Sequence, residues 1–123
     1  MSHARPADVT SGNLRSELPF RPREAEIFDV LLERPDVRIE RIVSTGQTTS
    51  EGEWYDQEIE EWVLVVAGAA RLRIEGEEED RELGEGDWIF LPANCRHRVT
   101  WTQALPPTVW LAIRLKKPAG SPA

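Results

Sequence analysis

Trp54 to Gly68 reads WYDQEIEEWVLVVAG, and the direction in which its side chains alternate decides the architecture. Alternate residues of an extended strand share a face, so Tyr55, Gln57, Ile59, Glu61, Val63 and Val65 point the same way. The apolar end, Val63 and Val65, requires a core, and it takes Glu61 and Gln57 inward with it. A buried carboxylate without a partner costs several kcal/mol or becomes protonated, so something must compensate Glu61.

His97 is the candidate. In GDWIFLPANCRHRVTW, Gly86 to Trp101, Pro92 ends one strand, and Cys95, His97, Val99 and Trp101 share one face of the next. Val99 makes that face the inner one. Gln57, Glu61 and His97 converging inside a barrel form an open site of oxygen and imidazole ligands, suited to Fe(II), Mn(II), Ni(II) or Zn(II). The alternative is a network without an ion, in which neutral Gln57 and Tyr55 donate to Glu61 and His97 pairs with the same carboxylate.

Further strands recur along the chain. Short apolar stretches (EWVLVVAG, ARLRIEG, DWIFLPA, RHRVTW and TVWLAIRL) recur between glycine, proline and acidic turns, the pattern of an all-β sandwich or small barrel. VRIERIVS, Val37 to Ser44, alternates as a further strand. The run EGEEEDRELGEGD reads as a solvated hairpin tip and turn, since its spacing lacks the alternating ligands of a calcium loop. REAEIFDVLLE, Arg23 to Glu33, places Ile27 with Leu31 and Phe28 with Leu32 at helical spacing, which predicts a short helix stopped by Pro35 and Asp36. Residues 1–20 read as a flexible arm, 21–116 as the barrel and 117–123 as a flexible tail.

The totals bound the function. A chain of 123 residues makes one domain. Fifteen basic against 22 acidic residues give a net charge of −7, with no basic block to follow a phosphate backbone, so nucleic acid is excluded as a partner. No apolar run suits a secretion signal or a bilayer span, and the single Cys95 fits a reducing compartment; the expectation is a cytoplasmic protein with no membrane partner.

The spacing of Glu61 and Gly68, and then of Gly86, Pro92, Asn94 and His97, resembles the two signature motifs of the cupin superfamily, within a subgroup of small single-domain bacterial cupins. The resemblance implies a jelly-roll β-barrel, a small-molecule ligand and a homodimer paired through sheets. It also implies a divalent metal held in the barrel. Glu61 stands at the glutamate and His97 at the last histidine of the metal set, while Tyr55 and Gln57 occupy the two other histidine positions and Asn94 replaces a usual glycine. The implied metal ligands are therefore Gln57, Glu61 and His97. If the protein is an enzyme, the cation acts as a Lewis acid or activates oxygen, and Glu61 or Tyr55 moves a proton. The rival is a metal-free binding or sensor module.

Of the five tryptophans, Trp62, Trp88 and Trp110 lie within strands and are expected in the core or an interface. Trp54 and Trp101 have the better claim to a pocket, and Tyr55 and Trp101 are the expected substrate contacts. Arg41 is a candidate pocket charge, Cys95 a small buried hydrophobe, and Arg96 and Arg98 point outward.

Overall fold

A computed structural model describes residues 8–116; the outer parts of the expected arm and the whole of the expected tail, 1–7 and 117–123, lie outside the described residues. The described residues form eight strands and no helix: β1 (Ile27–Arg34), β2 (Val37–Ser44), β3 (Glu60–Ala67), β4 (Ala70–Ile74), β5 (Arg81–Leu83), β6 (Trp88–Leu91), β7 (His97–Thr102) and β8 (Thr108–Leu115). They form a five-stranded sheet in the order β1-β2-β8-β3-β6 and a three-stranded sheet in the order β5-β4-β7. Every pairing is antiparallel.

The two sheets face each other across one core. Val63, Val65, Ile89, Leu91, Trp110 and Ala112 of the larger sheet meet Ala70, Leu72 and Leu83 of the smaller, all buried. Each is reached by the period-two alternation of its strand. The β3–β4 turn depends on Gly68, which has φ +85°; a Cβ added there would lie 2.8 Å from Thr108 Cα and 2.9 Å from Thr108 Oγ1. Only glycine allows β8 that close.

Two expectations change. The segment expected as a helix is β1, which forms a hairpin with β2 closed by the two residues Pro35 and Asp36. Helical spacing misled because the run carries apolar residues on both faces: a register shift between Val30 and Leu32 turns the strand over, which erases its alternation. Within the charged run, Arg81–Leu83 pairs with β4, anchored by buried Leu83. Part of the arm has partners on the barrel. Ser16 and Leu14 carbonyls accept from Arg41 Nη1 at 2.7 and 3.2 Å, and Arg15 Nη2 donates to Val66 O at 3.0 Å, so this part of the arm lies on the chain's own larger sheet.

Candidate functional site

Residues before β3 are irregular, yet they are bound to β7 and the loop leading into it by backbone hydrogen bonds. Thr49 N donates to Val99 O at 2.9 Å, Tyr55 and His97 exchange both bonds at 2.7 and 3.1 Å, and Asn94 N donates to Gln57 O at 2.6 Å. Asn94 makes this possible in a left-handed conformation, φ +62°, which asparagine tolerates better than most residues where a glycine is usual. Tyr55 and Gln57 are thereby laid against His97, and the Tyr55 and His97 rings stack with centroids 5.4 Å apart.

These side chains line a cavity of about 340 Å³ between the sheets, a size suited to a small molecule. Its apolar wall is Phe28, Ile42, Val63, Leu72, Leu91, Val99 and Trp110. Its polar wall contains Tyr55, Gln57, Glu61 and His97, so four of the residues singled out by the sequence come together. It also contains Glu26, Arg38, Glu40 and Arg114, which sequence reasoning missed.

Glu61 is half-buried, and Arg114 is the partner that its inward-facing carboxylate requires. Its Nε donates to Glu61 Oε2 at 3.0 Å and lies 3.2 Å from Glu40 Oε1. The register makes this contact unavoidable: Glu61 of β3 and Glu40 of β2 flank β8 opposite Arg114 and Ala112, on the same face. The signal was present in TVWLAIRL, where Arg114 shares parity with Trp110 and Ala112. Arg38 and Glu40 were harder to find, since in VRIERIVS they alternate with apolar Val37 and Ile39, which face outward.

The remaining polar groups are partly tied. His97, 8% exposed, has Nδ1 2.9 Å from Cys95 O; with Nδ1–H donating to that carbonyl, Nε2 is left as an acceptor. Burial pushes the Tyr55 phenol above its ordinary range, and the Glu26 charge pushes it further. Burial likewise raises Glu26, against the hydrogen bond it accepts from Ser44 Oγ. Ser44 Oγ in turn accepts from Trp110 Nε1 at 3.0 Å.

The aromatic expectations are revised. Trp101 does not line the cavity: β4 pairs Arg71 with Trp101 but Leu72 with Val99, so an extra residue, Thr100, turns Trp101 to the outside, where Arg71 lies 5.4 Å from its ring. Trp54 is also outside, with Arg96 and Arg98 at 5.6 and 5.8 Å. The tryptophan in the cavity is Trp110, while Trp62 and Trp88 stack on the outer face. Arg41 is outside as well, paired with Asp29 at 2.7 Å.

The donor set does not fit a tightly held divalent cation. The four motif positions offer one imidazole, a neutral amide, a phenol held in its protonated form and a carboxylate already bound to a guanidinium. Among the described residues no group of three or more His, Cys, Asp or Glu is arranged to hold one. No helix of the described residues is long and apolar enough to cross a membrane.

Comparison with known proteins gives the ancestry. The crystal structure of a candidate mannose-6-phosphate isomerase from Ralstonia eutropha JMP134 is 46% identical, covers 89% of this chain and 100% of its own, and superposes with a TM-score of 0.85. A cupin superfamily protein from Desulfitobacterium hafniense DCB-2 is 17% identical over 81% of this chain and 84% of its own, with a TM-score of 0.67. A DMSP lyase from Ruegeria pomeroyi DSS-3 is 19% identical over 80% of this chain and 50% of its own, at 0.63, and shares the fold alone. Proteins of curated function give no match to the sequence. The cupin domain family model matches residues 41–114, more than half of the chain, and takes in both motif segments, from Tyr55 to His97. The chain belongs to the cupin family, as a small bacterial cupin with a small-molecule cavity in its barrel.

Proposed function

We propose that this cupin binds an oxygen-rich small molecule in its barrel without a resident metal, with the Arg114 guanidinium supplying the positive charge that a metal ion would otherwise bring to Glu61. The observation that carries this reading is the Arg114 Nε contact with Glu61 Oε2 at 3.0 Å, beside Glu40 Oε1 at 3.2 Å. A guanidinium satisfies carboxylates by directed hydrogen bonds and keeps its charge at any working pH. The cavity joins an apolar wall to acceptors and donors of both kinds, which is the composition of a small-molecule site.

The same cavity has the parts for moving a proton. His97 presents Nε2 as an acceptor, and burial favours the protonated form of Glu26. The identity of 46% to a candidate sugar-phosphate isomerase supports a sugar-like ligand.

The test is metal analysis of the protein purified without chelator, paired with ligand titration before and after exhaustive EDTA treatment. Substoichiometric metal and binding unaffected by EDTA are expected. About one equivalent of Fe, Mn, Ni or Zn, lost together with binding in His97→Ala, overturns the reading in favour of Gln57, Glu61 and His97 as ligands to a cation.

A further inference from the structure

Glu40 belongs to neither cupin motif, yet it is the most buried ionisable side chain in the cavity. The residue is 3% exposed, and its Oε1 has no hydrogen-bond partner among the described residues. Its neighbours do not satisfy it. Arg114 Nε approaches Oε1 to 3.2 Å but directs its hydrogen bond to Glu61, and Arg38 Nε stands 3.6 Å from Oε2, itself without a partner. Buried charged acceptors are seldom left this way, because the lost hydration is not replaced.

We infer that Glu40 is the acceptor for a hydroxyl of the ligand, and that Glu40 and the Arg114 guanidinium together read two adjacent hydroxyls of a neutral sugar or similar polyol. A hydroxyl both donates and accepts, so one member of a vicinal pair gives its hydrogen to Glu40 Oε1 while the other accepts from Arg114. An alkylammonium also donates but cannot accept from a guanidinium. A phosphate offers only acceptors to a cavity whose two guanidiniums, Arg38 and Arg114, already face the carboxylates of Glu40 and Glu61. The apolar wall, with Trp110 buried in it, suits the C–H face of a sugar ring. The inference rests on the metal-free reading above and adds the ligand class and the residue that selects it.

Isothermal titration of the full chain in EDTA, against a panel of neutral hexoses and their monodeoxy derivatives, tests it. At least one hexose is expected to bind saturably at one site per chain. Loss of one hydroxyl of the recognised pair is expected to weaken it by about tenfold to a hundredfold, the range for a hydrogen bond to a charged group. Glu40→Gln, confirmed as folded by its melting profile, should lose affinity by a similar factor and no longer distinguish the parent sugar from that deoxy derivative. If that variant does not fold, the deoxy series on the wild-type protein decides alone. Failure of every hexose to bind, or a hexose 6-phosphate bound more tightly than its parent, overturns the inference. So does a folded Glu40→Gln variant with wild-type affinity and selectivity, which leaves metal-free binding intact. Binding that appears only after Mn(II) or Zn(II) is added overturns the underlying reading as well.

Discussion

The inner and outer faces of the five-stranded sheet have exchanged their usual characters at one end. One row runs across all five strands on the outside, Leu32, Ile39, Ile113, Trp62 and Phe90, and every member is apolar. The neighbouring inner row holds Arg38, Arg114 and Glu61 across β2, β8 and β3, with Glu40 one step along β2. Toward the other end the order is conventional, with Val63, Val65 and Trp110 inside. Alternation therefore reports reliably that a segment is a strand, but not which side is wet. Where the inside is charged, the strand is lining a site.

The sharpest way to break this contrast is to remove the inner cation. Arg114→Met leaves buried Glu40 and half-buried Glu61 without the cation between them, and a loss of about 3–5 kcal/mol is expected in urea unfolding. Adding Glu40→Gln and Glu61→Gln should restore most of it; no recovery would mean that Arg114 acts through packing alone. The outer row is tested by charge. The homodimer that the family resemblance implies uses this apolar face if Phe90→Glu, with Phe90 41% exposed, shifts sedimentation from twice the chain mass to the chain mass. Wild-type sedimentation at the chain mass removes the dimer.

Smaller effects sharpen the same picture. Trp110→Phe deletes the Nε1 bond to Ser44 and is expected to cost about 1 kcal/mol, whereas Trp88→Phe on the outer face should change stability by less than about 0.5 kcal/mol. The smallest effect is in pH dependence. Burial raises the folded-state pKa of Glu26, so the folded state holds that proton more tightly than the unfolded chain does. Its contribution is fully present below the ordinary glutamate value of about 4.3 and is lost as pH rises through the raised one. Glu26→Gln should flatten the stability profile on that rising side, and an unchanged profile would place the titration elsewhere.

Much of this was legible in the chain. The parity of Glu61, Val63 and Val65, and the glycine, proline and histidine spacing after Gly86, pointed to the barrel and to Glu61 and His97 inside it, whereas Tyr55 and Gln57 reach the same cavity from the irregular segment before β3 and not along the expected unbroken strand. What was hidden has local causes. The register shift after Val30 disguised an edge strand as a helix, and the extra residue Thr100 reversed Trp101. Parity counting assumes an unbroken pleat, and a bulge inverts every assignment beyond it. Arg114 and Glu40 escaped because pairing across strands, not sequence distance, brings them to Glu61.

The attachment of Tyr55 and Gln57 has one more consequence. They sit on a chain segment tied laterally to β7 at a few amides, whereas Arg114 and Glu61 belong to strands laced on both sides. Few amides hold the one wall and full ladders the other, so local opening of the barrel is expected to cost least on the side of Tyr55 and Gln57, away from the charge pattern of Arg114 and Glu61.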